Sequence, residues 1–303
     1  MKKNLIFYHL LCVNDAQFRF ERTYKKLKIT GLLDVCYKII LVMVGKYRYE
    51  YSKQVANLIQ DNKIVYIFSD IDTSEVVTIN LIYETAIKQS FHREDCNILY
   101  LHSKGITRPH LTPQMIGWMD YMEYFLIEEF TRCLKVLEEY KSCGVLFRDG
   151  LRIYGGNFWW ARSDYVRMMK PLSTTCWRFD CEHWLLNNDV PAFNLSNKFD
   201  WCWGFYEKVC KREEYTDLPP IVEDYSILPF LNDSEVNINY ARFGGIDCKD
   251  KIKNCIINNR IYLRSDITIV NNVHVDYKDR YLDIEINGKT MRLANEQYLI
   301  YGY

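Results

Sequence analysis

The stretch NILYLHSKGIT, residues 97–107, changes from apolar to polar within a few positions. Its first half is typical of a buried β-strand. His102 and Lys104 stand two positions apart at the end of this strand. Because alternate residues of a strand point to the same side, an imidazole and a cation are expected at one place. The stretch therefore predicts both a strand and a candidate binding site at its tip.

Three similar apolar runs precede this strand, and helical patterns separate them. The runs span residues 4–13, 36–45 and 63–69, and helices are predicted at 16–33, 52–60 and 78–91. Continuous apolar strands that alternate with helices indicate a parallel sheet covered on both faces. The expected fold class is α/β, with a Rossmann-like, mostly parallel central sheet whose ligands bind beyond the carboxyl ends of the strands.

The sequence changes character twice after this strand. Helical patterns at 113–140 and 176–188 flank a predicted strand at 143–147 and a strand that turns into a helix at 155–169. An acidic stretch with a Pro pair then predicts a linker, and short β-like runs separated by Asn, Asp and Gly follow it. The predicted organisation is an α/β domain at 1–212, a linker at 213–235 and a small antiparallel β domain at 236–303.

The bulk composition is that of an ordinary globular protein. Basic and acidic residues number 39 each, so the net charge is zero, which argues against a nucleic-acid partner. The 11 cysteines are scattered, which favours a reducing compartment. The apolar N-terminus is interpreted as a first strand rather than a signal peptide, and no run approaches the length of a membrane span. These features predict a soluble, cytoplasmic protein, and a homo-oligomer remains possible.

The HSKG tip is the first candidate site. His102, Ser103 and Lys104 offer an imidazole, a hydroxyl and an ammonium, and Gly105 lets a ligand approach the backbone. Together these groups could hold a diphosphate. The alternative is a loop in which Lys104 is solvated and His102 caps the chain.

A second candidate is the stretch YGGNFWWARSDY, residues 154–165. Gly155 and Gly156 are expected to let a ligand or another backbone segment come close, and Trp159 and Trp160 offer faces for sugar C–H groups. Gly156 and Asn157 are predicted, with the two tryptophans, to bind the acceptor or the sugar. Because neighbouring strand residues alternate between faces, one of the two tryptophans is expected in the core and the other at a ligand.

Two further candidates are acidic. Asp180 and Glu182, in RFDCEHW, could supply a general base, or they could only cap a helix. Asp70 and Asp72, which follow a strand, could bind a divalent cation. Asp70 could instead contact a nucleobase or ribose, and a helix cap explains the pair without any ligand.

Four stretches, taken in their order along the chain, resemble a group of glycosyltransferases from large DNA viruses and bacteria that is related to the rhamnan-synthesis proteins. The stretches are ILYLHSKG, GWMDYMEYFL, GGNFWWARSDY and RFDCEHW. The resemblance covers roughly residues 4–200. It implies the GT-A fold, a nucleotide-sugar donor, and a glycan or glycoprotein acceptor. Most GT-A enzymes carry two metal-binding aspartates where this chain has His102 and Lys104. Lys104 is therefore expected to neutralise the diphosphate, and His102 is the expected ligand if Mn or Mg is bound.

The same resemblance implies roles for other residues. Tyr8 and His9 are expected near the base or ribose, with Asp70 and Thr78 completing that wall. Glu182 is preferred over Asp180 as the base. The expected activity is an inverting transfer from a UDP-sugar. A non-catalytic nucleotide-sugar or glycan-binding module is the main alternative, and a phosphate-ester hydrolase is another.

Overall fold

The computed structural model describes most of the chain. The described residues are 2–70, 75–91, 95–108, 112–177, 179–187, 191–196, 198–199 and 204–216, followed by short strands between 221 and 294. The chain forms two compact units, one of residues 1–28 and 32–211 and one of residues 29–31 and 212–303. The predicted domain boundaries stay predictions.

The first unit alternates strands and helices. Its strands are β1 (Lys3–Leu11), β2 (Cys36–Val44), β3 (Ile64–Ser69), β4 (Cys96–His102), β5 (Ser142–Gly144), β6 (Phe147–Arg148), β7 (Ile153–Tyr154), β8 (Trp159–Arg162) and β9 (Ala192–Asn194). Its helices are α1 (Ala16–Ile29), α2 (Leu32–Val35), α3 (Arg48–Leu58), α4 (Val76–Phe91), α5 (Pro113–Glu123), α6 (Phe130–Glu139), α7 (Ser163–Val166), α8 (Asp180–His183) and α9 (Gly204–Glu207). Short 3-10 turns span Asp149–Leu151 and Trp184–Leu186.

Seven of these strands form the central sheet in the described part of the chain. Their order is β3-β2-β1-β4-β8-β5-β9. All neighbouring pairs are parallel except those of β8, which runs antiparallel to β4 and β5. The predicted fold class, α/β with a mostly parallel central sheet, is confirmed. Apolar side chains on both faces of β1, such as Ile6 and Phe7, are buried because helices cover both faces.

The second unit contains a separate, mainly antiparallel sheet. Its strands are β10 (Ile221–Val222), β11 (Ile238–Phe243), β12 (Ile246–Asp247), β13 (Ile256–Ile257), β14 (Arg260–Ile261), β15 (Tyr281–Ile286) and β16 (Lys289–Ala294), and a 3-10 turn spans Arg212–Glu214. Five of them pair in the order β10-β16-β15-β11-β12, and only the β10–β16 pair is parallel. The predicted small antiparallel sheet is confirmed. Strand β10 lies inside the predicted linker, most of whose other residues lie outside the described part.

The helix predicted at 113–140 is interrupted. A π-helical turn, Tyr124–Glu128, separates α5 from α6. Side chains bind two of its carbonyls: the Trp160 indole N–H donates to the Leu126 carbonyl at 2.8 Å, and Cys133 Sγ donates to the Phe125 carbonyl at 3.1 Å. Such local bonds are not visible in a hydrophobic pattern. No helix in the described residues has both the length and the apolar character needed to cross a membrane.

A buried ion-pair network joins α1 to α5. Glu123 is 1% exposed, and its carboxylate contacts Arg22 Nη1 and Lys26 Nζ, each at 2.8 Å. Thr23 Oγ1 also donates to Glu123 at 3.2 Å. Burial raises the pKa of Glu123, but Arg22 and Lys26 outweigh it and hold this pKa below its ordinary value. The carboxylate is therefore ionised in the folded protein.

Replacing Glu123 by Gln should destabilise the protein by about 3–5 kcal/mol, because it removes a buried partner of two cations. Urea unfolding monitored by tryptophan fluorescence would measure the change. The control is Glu21→Gln in the surface pair with Lys25, which should cost less than about 0.5 kcal/mol. Equal unfolding midpoints for the two variants would contradict the assigned role of Glu123.

The network also makes a pH-dependent contribution to stability. Since the folded-state pKa of Glu123 is depressed, the stabilisation is fully present above the ordinary glutamate pKa. It is lost as the pH falls through the lower, folded-state pKa. The stability difference between the wild type and Glu123→Gln should therefore shrink as the protein is acidified.

Candidate functional site at the ends of β1 and β4

The HSKG tip is fixed to the end of β1. The two strands are parallel, and His9 is the register partner of His102. The Ser103 N–H donates to the His9 carbonyl at 2.9 Å, and Ser103 Oγ accepts the Leu11 N–H at 3.2 Å. Gly105 has φ +68°, and a Cβ there would lie 3.2 Å from Met115 side-chain atoms. The tip is thus a turn whose backbone is held in place by hydrogen bonds to β1.

Glu75, one residue before α4, is at the centre of the site. Its Oε2 atom accepts hydrogen bonds from the Tyr100 hydroxyl at 2.6 Å and from Asn157 Nδ2 at 2.8 Å. Its Oε1 atom lies 3.9 Å from His102 Nδ1. Glu75 was not among the candidates from sequence. The only signal was its place at the end of the acidic stretch SDIDTSE, immediately before an amphipathic helix.

The GGN turn, residues 155–157, lies between β7 and β8 and contacts the site. His102 Nε2 donates to the Gly156 carbonyl at 3.0 Å. Gly156 has φ +94°, and a Cβ there would lie 2.3 Å from Met122 Sδ. Asn157 also adopts the left-handed conformation, with φ +58°, and its Oδ1 accepts the Trp159 indole N–H at 3.2 Å. Gly156 and Asn157 thus contact protein groups of the site, and their contact with an acceptor or sugar stays a prediction.

His9 and Thr78, both expected to line a nucleotide pocket, contact each other in the structure, and their contact with a nucleotide stays a prediction. His9 Nδ1 and Thr78 Oγ1 are hydrogen-bonded at 2.8 Å, and both residues are buried. Burial lowers the pKa of His9 to about 4 and also lowers the pKa of His102. Burial raises the pKa of Glu75, but His102, His9 and the Tyr100 hydroxyl together lower it to about 2. At neutral pH the site therefore combines neutral imidazoles with an ionised carboxylate.

Lys104 is oriented by its surroundings. Its Nζ lies 4.3 Å from the ring centroid of Trp118, a cation–π contact. Its backbone carbonyl accepts a hydrogen bond from Arg19 Nη1 at 2.8 Å. Burial has the largest effect on the pKa values of Glu75 and His102, and the charges of these two residues act on each other. The positive charge of Lys104 also lowers both pKa values. The Lys104 charge therefore favours the ionised carboxylate of Glu75 and the neutral imidazole of His102.

The two carboxylates of RFDCEHW differ in their surroundings. Asp180 Oδ2 accepts the Trp177 N–H at 2.8 Å, so this side chain closes the turn before α8. Burial, the largest influence, raises the pKa of Tyr100 and lowers that of His102. The negative charge of Glu182 raises both pKa values. Asp180 therefore holds the turn before α8, and the assignment of Glu182 as the general base stays a prediction.

Two predictions about aromatic side chains disagree with their burial in the structure. Trp159 and Trp160 are 1% and 0% exposed, so neither offers a face to a sugar, contrary to the expectation for one of them. They lie on opposite faces of β8, but both faces are covered. Tyr8 is also buried, packs edge-on against Phe20 and bonds with Thr23. Because strand residues alternate, Tyr8 lies on the other face of the sheet from His9.

Asp70 lies apart from these groups. Its side chain is 89% exposed and pairs with Arg48 at the start of α3. It does not complete a wall with His9 and Thr78 among the described contacts. Asp72 lies outside the described residues. Within the described part of the chain, no three His, Cys, Asp or Glu side chains form a cluster suited to a metal ion.

No protein-family model matches this chain, and no curated protein matches it. Among solved structures, the chain is similar to a cytidylyltransferase from Leptospira borgpetersenii serovar Hardjo-bovis (strain JB197), at 10% identity and a TM-score of 0.36, over 65% of this chain and 76% of that one. It is also similar to 4-diphosphocytidyl-2C-methyl-D-erythritol synthase from Anaerococcus prevotii DSM 20548, at 12% identity and a TM-score of 0.39, over 70% of this chain and 94% of that one. At these values neither similarity bears on the activity of this chain.

Proposed function

We propose that this chain is a glycosyltransferase that transfers a sugar from a nucleotide-sugar, with a UDP-sugar as the first choice, to a hydroxyl of a glycan or glycoprotein. The observation that supports this best is the HSKG tip itself, which lies beside the end of β1 and where Lys104 Nζ is held over the Trp118 ring at 4.3 Å. The same tip carries His102, whose Nδ1 lies 3.9 Å from the Glu75 carboxylate. Tips of parallel strands are the usual place for ligands in such sheets.

The proposed reaction uses these groups in one displacement. Glu182 accepts the proton of the acceptor hydroxyl, and the hydroxyl oxygen forms a bond to the anomeric carbon. The bond between that carbon and the diphosphate oxygen breaks, and the nucleoside diphosphate leaves with the electron pair. Lys104 stabilises the charge that develops on the leaving diphosphate. Attack from the face opposite the leaving group inverts the anomeric centre.

A donor screen tests the proposal. The protein is incubated with UDP-glucose, UDP-N-acetylglucosamine, UDP-rhamnose and dTDP-rhamnose, and free nucleoside diphosphate is measured together with donor binding by calorimetry. Slow hydrolysis of one donor is expected, because water can replace the acceptor. Tight binding without release would instead support a nucleotide-sugar-binding module. If the protein binds none of the donors and releases nucleoside diphosphate from none of them, the proposed function is contradicted.

A further inference from the structure

A buried arginine on α1 contacts the backbone of the HSKG tip. Arg19 is 2% exposed. Its Nη1 donates to the Lys104 carbonyl and its Nε donates to Asp15 Oδ1, each at 2.8 Å. Its Nη2 is buried and has no hydrogen-bond partner among the described residues. Because burying a charge and an unmet donor costs free energy, stability alone does not account for an arginine at this position.

The bond from Arg19 sets the direction of one peptide group. Gly105 has φ +68°, and glycine adopts φ values of either sign, so steric contacts of its own do not fix the peptide between Lys104 and Gly105. Arg19 holds the carbonyl of this peptide. The peptide is trans and planar, so its N–H points opposite to its C=O. The Gly105 N–H therefore points away from Arg19.

The Gly105 N–H is available to a ligand. Gly105 is partly exposed, and its N–H has no hydrogen-bond partner in the part of the chain that the structure describes. The backbone N–H groups of Lys104 and Ile106, on either side, both donate to carbonyls of the tip itself. A backbone N–H in the residue next to a lysine suits the oxygen atoms of a phosphate, which accept from both kinds of donor.

We propose that Arg19 is a positioning residue that orients the peptide between Lys104 and Gly105, so that the Gly105 N–H donates to a phosphate oxygen of the donor. The identity of this ligand rests on the proposed function, whereas the bond from Arg19 to the Lys104 carbonyl does not. Arg19 acts through the peptide and does not touch the donor, since it lies on the carbonyl side. It belongs to none of the motifs found in the sequence.

One labelling scheme observes this peptide by itself. Residues 104 and 105 form the single Lys-Gly pair of the sequence. Lysine labelled with ¹³C at its carbonyl carbon and glycine labelled with ¹⁵N therefore give one signal in a spectrum that correlates each carbonyl carbon with the following amide. In Arg19→Met the carbonyl carbon signal should move upfield, because the carbonyl loses a hydrogen bond. In the wild type, UDP or dTDP should move the Gly105 amide proton downfield, because the amide gains an acceptor.

Calorimetry with UDP and dTDP measures the consequence for binding. Arg19→Met should bind the nucleotide about tenfold more weakly, which is the effect of one hydrogen bond to a charged group. Arg19→Lys should recover part of this loss, since an ammonium group can donate to the same carbonyl. The control is Glu123→Gln, which breaks buried ion pairs with Arg22 and Lys26 on the same helix. It should bind the nucleotide as the wild type does, although it unfolds more easily.

Thermal unfolding of each variant shows that it is folded before its spectrum and affinity are compared. An unchanged carbonyl signal in Arg19→Met would overturn the inference, as would nucleotide binding to the wild type that leaves the Gly105 amide signal in place. An equal loss of affinity in Glu123→Gln would also contradict it, because the loss would then follow from destabilisation. If neither nucleotide binds to the wild type, the proposed function fails together with the role of Gly105, and the carbonyl signal still decides whether Arg19 holds the peptide.

Discussion

Replacing Glu182 by Gln is expected to lower kcat for sugar transfer by about 10²–10⁴-fold, the usual contribution of a general base. The amide keeps the size of the side chain but cannot accept the acceptor proton. Donor binding should change little, because the proposed contacts with the diphosphate belong to the HSKG tip. Hydrolysis rates measured at saturating concentrations of the donor that the screen identifies would give the effect on kcat, because water then takes the place of the acceptor hydroxyl.

Asp180→Asn is the matched control, two residues away on the same short helix. The Asp180 carboxylate accepts the Trp177 N–H at 2.8 Å, so its substitution should weaken a turn by about 1 kcal/mol and leave turnover within a few-fold. If Asp180→Asn abolished transfer while Glu182→Gln did not, the two roles would be reversed. If neither variant lost activity, a carboxylate base would have to be abandoned.

The sequence predicted the central sheet well because each strand carries its own signal. Runs such as residues 97–101 are apolar throughout, and such runs are buried on both faces of a parallel sheet. The same reasoning placed the HSKG tip at a carboxyl end, and the structure puts it beside the end of β1. The resemblance assigned His9 and Thr78 to one pocket wall, and the structure shows a hydrogen bond between their side chains.

The face of each strand was harder to predict. Continuous apolar strands show no alternation of apolar and polar residues, so the sequence did not show whether the face of Tyr8 or the face of His9 is nearer the site. For the same reason, Trp159 and Trp160 gave no sign that helices cover both sides of β8. Adjacent residues of one strand cannot both line one pocket, and this rule alone would have excluded Tyr8 once His9 was chosen.

Glu75 shows a different limit of sequence reasoning. Its partners Tyr100 and Asn157 are 25 and 82 residues away along the chain. A single acidic residue before a helix is ordinarily interpreted as a favourable interaction with the helix dipole. Only the meeting of α4, β4 and the GGN turn in three dimensions makes it the central carboxylate of the site. Sites assembled from distant loops are accessible to sequence analysis only through motifs, and Glu75 belongs to none of those quoted above.

Replacing Lys104 by Ala is expected to lower kcat by about 100-fold or more, because one preorganised charge at the leaving group is lost. The Trp118 ring, 4.3 Å from Nζ, holds the ammonium in place before the donor binds. Lys104→Arg should recover part of the rate, since it restores the charge and the aromatic contact but not the compact ammonium. Lys88→Ala, at an exposed position on α4, is the control and should be neutral.

Assays with a chelator distinguish whether Lys104 or a bound cation supplies the positive charge at the leaving group. Both the wild type and Lys104→Ala are assayed in EDTA and in excess Mn²⁺. If Lys104 supplies more of this charge than the cation does, EDTA should lower the turnover of the wild type less than the substitution Lys104→Ala lowers it. Excess Mn²⁺ should then not restore the turnover of Lys104→Ala. The opposite pattern would be complete loss in EDTA, full recovery with Mn²⁺, and near-normal turnover of Lys104→Ala. In that case a cation bound with the donor would neutralise the diphosphate, and the lysine at the strand tip would have a secondary role.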